Sequence, residues 1–184
     1  MTTPLTILGI PGSLRKASFN RMTLVAAQQL VPPDTSIEIF DLHGIPPFNQ
    51  DHEANPPEVV VEFKRRIRAA DAILFATPEY NYSISGVLKN AIDWASRPHG
   101  DNAWNNKPAA VISAAGGIFG GIRAHYPLLQ TFVFLNMHSM TLPEFALAKA
   151  GDKFDAQGNL TDEPSRKLLS ELLRNLAEWT RKVK

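Results

Sequence analysis

Short apolar runs rich in β-branched residues alternate along this chain with longer amphipathic segments. Three of the short runs stop at or just before proline or glycine, as buried strands do, whereas the longer segments repeat apolar residues at helical spacing. This pattern predicts strands over residues 6–10, 37–41, 72–76, 109–113 and 140–142, and helices over residues 20–30, 59–70, 87–95, 121–134 and 168–179. Helices are therefore expected between consecutive strands.

Strands that alternate with helices form right-handed βαβ units, which build a parallel sheet covered on both faces. The 184 residues suffice for a single compact domain over residues 1–184. Five strands suit the flavodoxin-like order, so we predict an α/β fold of the flavodoxin-like, three-layer, doubly wound class with a five-stranded parallel sheet. Ligands of such sheets bind beyond the carboxyl ends of the strands, which directs attention to the loops after the first, third and fourth strands.

Composition excludes several classes of function. The chain has 19 lysines and arginines against 18 aspartates and glutamates, a balance that argues against a dedicated nucleic-acid surface. It has no cysteine, which excludes disulfides, thiolate catalysis and cysteine-bound zinc or iron–sulfur clusters. No apolar run approaches the roughly 20 residues of a membrane span, and no secretory signal is recognisable. We expect a cytoplasmic protein without a membrane partner, and the histidine spacing predicts no metal site.

The loop after the first strand, residues 11–20, combines small polar residues with cations. It opens a helix, whose free N–H groups and dipole favour an anion. Ser13, Ser18 and Asn20 add neutral hydrogen-bonding groups and Arg15 adds a planar charged fork, which together suit a phosphate monoester. The sequence is neither a Walker phosphate loop nor a G-x-G-x-x-G dinucleotide motif. An ordinary turn with serine or asparagine capping the helix is the alternative.

The loops after the third and fourth strands should meet the first loop at the same edge of the sheet. Residues 77–86 bring Tyr80 and Tyr82 together with many backbone donors, which suits an aromatic heterocycle. Residues 113–121 contain four glycines, which let the backbone approach a flat ligand closely. Either segment alone could be a structured turn or a flexible connector. The three loops together favour a site for a phosphate and a flat ring.

Two motifs carry a family resemblance: GSLR-x-x-SFN at residues 12–20 and PEYN-x-S-x-x-G-x-LKNAIDW at residues 78–94. In order and spacing they resemble the NADPH-dependent FMN reductase family, in particular its bacterial quinone and chromate reductases, and the resemblance runs from about residue 5 to residue 180. It implies tightly, non-covalently bound FMN, with NADPH or NADH as co-substrate. It also implies that the phosphate meets Ser13, Arg15, Ser18, Phe19 and Asn20, the isoalloxazine meets Pro78, Glu79, Tyr80 and Asn81, and its pyrimidine side meets Ser113, Gly116, Gly117 and Phe119.

The resemblance further implies contacts between subunits. Related reductases build dimers and tetramers with an arginine, a tyrosine and a glutamate, which correspond here to Arg123, Tyr126 and Glu144. A homodimer or homotetramer is therefore expected. Without the family, an exposed helix face and a loop carboxylate would be the simpler interpretation of these residues.

The activity implied by the resemblance is ping-pong transfer of hydride from NAD(P)H through flavin N5 to a small oxidised acceptor. Quinones are the first candidate; chromate, ferric complexes, azo compounds and free flavin are the others. No catalytic side chain is predicted because the flavin carries the chemistry. The alternative is a flavodoxin-type electron-transfer module that does not itself oxidise NAD(P)H. A magnesium-dependent response-regulator-like switch is disfavoured because residues 11–13 supply no carboxylate.

Overall fold

The computed structural model describes residues 3–184, which form a layered α/β structure. The strands are β1 (Leu5–Pro11), β2 (Thr35–Ile39), β3 (Ala72–Thr77), β4 (Pro108–Ala114), β5 (His138–Ser139) and β6 (Phe145–Leu147). The α-helices are α1 (Phe19–Leu30), α2 (Glu58–Ala69), α3 (Gly86–Ala95), α4 (His125–Leu135) and α5 (Glu163–Val183). Single 3₁₀ turns cover Gln50–His52, Ile122–Ala124 and Ala150–Asp152.

All the strands belong to one parallel sheet. The order is β2–β1–β3–β4, and both β5 and β6 pair with the outer side of β4. In register, Gly9 of β1 lies between Ile39 of β2 and Leu74 of β3. The chain moves outward from β1 in one direction and then returns to the other side of β1 at β3. This order confirms the predicted flavodoxin-like class and places the switch point between β1 and β3.

Separate apolar cores cover the two faces of the sheet. Leu24 of α1 and Leu172 of α5 are buried against one face. Phe63 of α2, Leu88 of α3 and Phe132 of α4 are buried against the other. Each such side chain, when fully buried, stabilises the fold by roughly 1.5–3 kcal/mol. The two cores give the three layers expected of a doubly wound sheet.

The outer edge of the sheet differs from the sequence prediction. The strand predicted over residues 140–142 is wrong, because strand pairing occurs before it in β5 and after it in β6. Met140 still donates its N–H to the Ala109 carbonyl at 2.7 Å. Pro143, however, has no N–H with which to continue a ladder, and Leu142 beside it is 72% exposed. The fifth position of the sheet is therefore filled by two short strands.

The last helix is longer at both ends than its apolar repeat predicted. Asp162 caps its first turn, since its side chain accepts the Ser165 N–H at 3.0 Å. One face of the helix packs into the core that contains Leu24, and the other face exposes charged residues. Among residues 3–184, no helix is long and apolar enough to cross a membrane.

Candidate functional site

A cavity of about 270 Å³ opens beyond the carboxyl ends of β1, β3 and β4. Its walls come from the loops after these three strands and from the first turn of α1. The lining residues are Ser13, Arg15, Ser18, Phe19, Asn20, Pro78, Glu79, Tyr80, Ala114, Ala115 and Gly116. The three loops identified in the sequence therefore meet at one site.

The helix α1 begins at this cavity. Buried Ser18 caps the helix, because its Oγ accepts the Arg21 N–H at 3.3 Å, and the same residue lines the cavity. The serine cap and the cavity wall are thus compatible roles. Arg15 is exposed at the rim, and no ion pair between residues 3–184 includes it. A cation without a carboxylate partner beside a helix N-terminus suits an anionic ligand.

Asn20 ties the start of α1 to the end of β4. Its Nδ2 donates to the Ala114 carbonyl at 3.0 Å, and its Oδ1 accepts the Ala114 N–H at 2.9 Å. The side chain is buried, so this pair of bonds fixes the first loop against the third. One further N–H of the Asn20 amide is available to a ligand.

The loop after β3 makes a tight two-residue turn. Tyr80 and Ser83 exchange N–H···O bonds of 3.0 Å, and the central residues have positive φ, 51° at Asn81 and 66° at Tyr82. Positive φ at both central positions is the backbone that a type I′ turn requires, and it is unfavourable for a bulky tyrosine. Strain of this kind is retained mainly at functional loops. Asn81 forms the turn but, unlike Pro78 and Tyr80, does not line the cavity.

Ser85 joins the first and second loops and was missed in the sequence. Its Oγ donates to the Gly12 carbonyl at 2.6 Å and accepts the Leu88 N–H at 3.1 Å, which caps α3. A Cβ at Gly12 would lie 3.1 Å from Pro78 Cδ, so the close approach of the two loops depends on glycine. A serine immediately before the apolar repeat of α3 was the available signal for the cap.

Backbone hydrogen bonds to β6 and to the residues after it fix the start of the third loop. Ala115 donates its N–H to the Leu147 carbonyl at 3.1 Å and accepts the Ala150 N–H at 3.0 Å. Gly116 lines the cavity, and a Cβ there would meet no atom within 4 Å. No contact within the protein therefore requires glycine at this position, which leaves its backbone open to a ligand. Ala115 also lines the cavity, although a small apolar side chain gave no sign of this in the sequence.

Three residues predicted on the ring side, Ser113, Gly117 and Phe119, lie outside the cavity lining. Ser113 is fully buried at the end of β4, where its Oγ lies 2.9 Å from His125 Nε2. Burial lowers the pKa of His125 to about 4, so its imidazole is neutral at physiological pH. The Ser113–His125 contact fixes the end of β4, from which the third loop begins. The sequence did not reveal this role.

Arg123 connects the second loop to the third. Its backbone N–H donates to Glu79 Oε2 at 3.1 Å, and its guanidinium lies 3.4 Å from Glu79 Oε1. The guanidinium also lies between two aromatic rings, 4.4 Å from the centre of Tyr82 and 3.9 Å from the centre of Phe119. These contacts fix the mouth of the cavity and bring Phe119 to its edge.

The three residues predicted at subunit contacts form two separate groups within the chain. Tyr126 donates its hydroxyl hydrogen to Glu144 Oε1 at 3.3 Å. Arg123 instead contacts Glu79 and the rings beside it. The subunit role of these residues stays a prediction.

Comparison with known proteins agrees with the geometry. A family model described as NADPH-dependent FMN reductase matches residues 5–152. An NAD(P)H-dependent FMN reductase of Pseudomonas aeruginosa is 49% identical, over 100% of both chains. A quinone reductase of Pseudomonas putida is 42% identical, over 94% of this chain and 92% of that protein.

A solved structure extends the similarity to the fold. FerB of Paracoccus denitrificans, described as a flavoenzyme NAD(P)H:(acceptor) oxidoreductase, has 36% sequence identity and a TM-score of 0.90. The match covers 97% of this chain and 98% of FerB.

The residues of the cavity fit FMN. An uncompensated arginine, a helix N-terminus and serine hydroxyls suit a terminal phosphate, and the open backbone at Gly116 suits the close approach of a flat ring. The predictions of FMN as cofactor and of NAD(P)H as co-substrate are confirmed by the family match and by the similar proteins. The chain belongs to the NADPH-dependent FMN reductase family.

Proposed function

We propose that this protein is an FMN-dependent enzyme that oxidises NADH or NADPH and reduces quinones. One observation carries the proposal: the same cavity contains Arg15 beside the start of α1, which suits an anion, and Tyr80, which suits a flat ring. This cavity lies at the switch point of the sheet. Bound FMN supplies the redox chemistry, and the protein supplies binding and orientation. The names of the bacterial and plant quinone reductases similar to this chain support quinones as acceptors.

The two ends of the cavity have different tasks in this proposal. The phosphate is held by the first turn of α1 with Ser13, Arg15, Ser18, Phe19 and Asn20. The ring is placed by Pro78, Glu79 and Tyr80 on one side and by Gly116 on the other, all of which line the cavity. Asn81, Gly117 and Phe119 lie outside the lining and would reach the ring only from the edge of the site. Ser113 acts through the third loop, which it supports together with His125.

The mouth of the cavity offers surfaces for flat substrates. Tyr80, Tyr82 and Phe119 are each at least half exposed there, at 50%, 69% and 51%. Exposed aromatic rings favour stacking with planar molecules such as nicotinamide and quinone. Tyr80 lines the cavity, and the Tyr82 and Phe119 rings contact Arg123, which pairs with Glu79 of the cavity wall. In this proposal NAD(P)H and the acceptor bind in turn at this one opening.

The function is tested by the absorption spectrum of the purified protein and by titration with NADPH and NADH under nitrogen. We expect flavin absorbance that either reductant bleaches directly, and chromatography of the heat-released cofactor should identify FMN. FAD as the main species would contradict the cofactor site. Flavin that is bound but not reduced by either nucleotide would favour the electron-transfer module.

Steady-state assays with the same protein test the order of binding. Varying quinone at several NADPH concentrations should give parallel double-reciprocal lines, with excess quinone competing against NADPH. Intersecting lines would show that both substrates bind together. Replacing quinone with chromate, a ferric complex, an azo dye or free FMN ranks the other candidate acceptors.

We also propose that the chain assembles as a homodimer or homotetramer through Arg123, Tyr126 and Glu144. Glu144→Ala removes the carboxylate that accepts the Tyr126 hydroxyl, and we expect it to shift the population toward smaller species. Light scattering over a range of protein concentrations measures this shift. Glu171→Ala, which removes an exposed glutamate from α5, is the charge-matched control. Equal masses for both variants at every concentration would contradict the proposed contact.

A further inference from the structure

The wall of the candidate FMN cavity carries a negative charge at the end assigned to the ring. Of the described residues that line this cavity, Glu79 alone has a carboxylate. Its side chain is only 13% exposed, so water and salt screen the charge poorly. Bound FMN brings a phosphate to the same cavity, and hydride transfer adds negative charge to its ring. A buried carboxylate beside such a cofactor is unfavourable unless a cation compensates it.

Arg123 supplies that cation. Its backbone N–H donates to Glu79 Oε2 at 3.1 Å, and its Nη1 donates to Glu79 Oε1 at 3.4 Å. Both carboxylate oxygens therefore face Arg123. The guanidinium also contacts two aromatic rings, with its Cζ 4.4 Å from the centre of Tyr82 and 3.9 Å from the centre of Phe119. These contacts fix the position of the positive charge beside the mouth of the cavity.

The backbone before Arg123 brings this residue to the carboxylate. Gly121 has a φ of +88°, and a Cβ there would lie 3.1 Å from Ser113 Cβ. Glycine accommodates both the left-handed backbone and the close approach to β4. The 3₁₀ turn Ile122–Ala124 follows at once and directs the Arg123 N–H to Glu79. The end of the third loop thus delivers the cation to the second loop.

The other side-chain contacts that join the loops of this site use neutral groups. Ser85 Oγ donates to the Gly12 carbonyl at 2.6 Å, and the Asn20 amide bonds both backbone groups of Ala114 at 3.0 and 2.9 Å. Neutral hydrogen bonds therefore suffice to join these loops. Among the described side-chain contacts between them, only the one that joins the second loop to the third carries full charges. Attachment of the loops alone leaves these two charges unexplained.

We propose that Glu79 and Arg123 form a balanced charge pair that controls the reduction potential of bound FMN. This inference rests on the FMN site of the proposed function, in which one hydride, a proton with two electrons, passes from NAD(P)H to oxidised FMN and yields NAD(P)⁺ and an anionic reduced ring. Glu79 opposes the added negative charge and Arg123 favours it, so the intact pair has a small net effect. Removing either member leaves the other unbalanced. The two single substitutions therefore shift the potential in opposite directions.

Reduction potentials of the FMN-loaded protein, measured against a redox dye under nitrogen, test the charge pair. Arg123→Gln should lower the potential by about 30 mV, which for a two-electron couple is a tenfold change in the ratio of reduced to oxidised FMN. Glu79→Gln should raise the potential by a similar amount, and the double variant should lie close to the wild type. A result without opposite shifts in the two single variants would overturn the proposal.

Arg123→Lys separates the charge from the shape of the side chain. Lysine keeps the positive charge but lacks the planar fork of arginine. We therefore expect a potential closer to that of the wild type than to that of Arg123→Gln. A potential as low as that of Arg123→Gln would assign the effect to the structure of the loops and would overturn the proposal.

Arg181→Gln is the matched control for the loss of a cation. The side chain of Arg181 is 31% exposed, as is that of Arg123, and it pairs with Asp34 at 2.7 Å. Asp34 immediately precedes β2, at the amino end of the sheet, whereas the FMN cavity lies beyond the carboxyl ends. This variant should keep the wild-type potential. A shift equal to that of Arg123→Gln would show a general effect of net charge and would overturn the proposal.

The dye measurement needs neither nucleotide nor quinone, which separates this inference from the proposed function. A wild type that does not oxidise NAD(P)H would overturn the proposed function, while the potentials still decide the role of the pair. By linkage, the same shifts should appear in the ratio of the dissociation constants for oxidised and reduced FMN. Because Arg123 is also a proposed subunit contact, Glu144→Ala is the control for assembly. A fall in its potential equal to that of Arg123→Gln would assign the effect to assembly and overturn the charge pair.

Discussion

Gly120→Ala is expected to destabilise the folded protein by about 3 kcal/mol. Gly120 has a φ of +62°, and a Cβ there would lie 2.7 Å from both the carbonyl carbon and oxygen of Ala146 and 2.9 Å from the nitrogen of Ala148. The left-handed backbone costs a residue with a Cβ about 1–2 kcal/mol, and overpacking adds roughly 1–3 kcal/mol. Because the opposing atoms are backbone, no side-chain rotation relieves the contact. The third loop or β6 must shift instead.

Thermal and urea unfolding of the FMN-free protein measure this effect without a contribution from ligand binding. A loss of 3 kcal/mol corresponds to a melting temperature lower by roughly 6–12 °C for a chain of this size. Gly117→Ala is the control in the same loop, because its φ is not positive and its Cβ would meet no atom within 4 Å. We expect that control to unfold within about 0.5 kcal/mol of the wild type. Equal stability of the two variants would contradict the close contact with β6.

The sequence predicted the centre of the sheet well and its edge poorly, for a physical reason. The strands β1, β3 and β4 lie at the centre with helices on both sides, so nearly all their residues are buried and the apolar runs are continuous. At the edge, β5 has only two residues and β6 only three, and both strands depend on pairing with β4. No local pattern distinguishes such short strands from the intervening residues 140–142.

In the candidate site, residues that belong to local sequence patterns were predictable, whereas contacts between residues far apart in the sequence were not. Ser18 and Arg15 were identifiable because a helix start with small polar residues and nearby cations is a local pattern. The pair of Glu79 and Arg123 joins residues 44 positions apart, and the bond from Ser85 to the Gly12 carbonyl spans 73. Contacts at such separations leave no periodicity in a single sequence. The chemistry of the loops was therefore predictable, whereas the contacts that hold them in place were not.

Arg15→Ala is expected to weaken FMN binding by about 10- to 100-fold, which corresponds to roughly 1.5–3 kcal/mol. Arg15 lines the FMN cavity and has no carboxylate partner among residues 3–184. The whole charge is therefore available to the phosphate, and no internal ion pair is broken when the side chain is removed. The start of α1 and the hydroxyl of Ser18 remain in the variant, so binding is reduced but not abolished.

Lys16→Ala is the matched control, because it removes the same charge from the next residue of the same loop. Lys16 lines a neighbouring depression with Met22 and Gly158 and not the FMN cavity. A general loss of positive potential would weaken both variants alike, and added salt would then reduce the effect of both. A specific bond to the phosphate instead gives a large loss only for Arg15→Ala. Fluorescence titration of the FMN-free variants with FMN distinguishes the two results, and equal dissociation constants would show that Arg15 does not hold the phosphate.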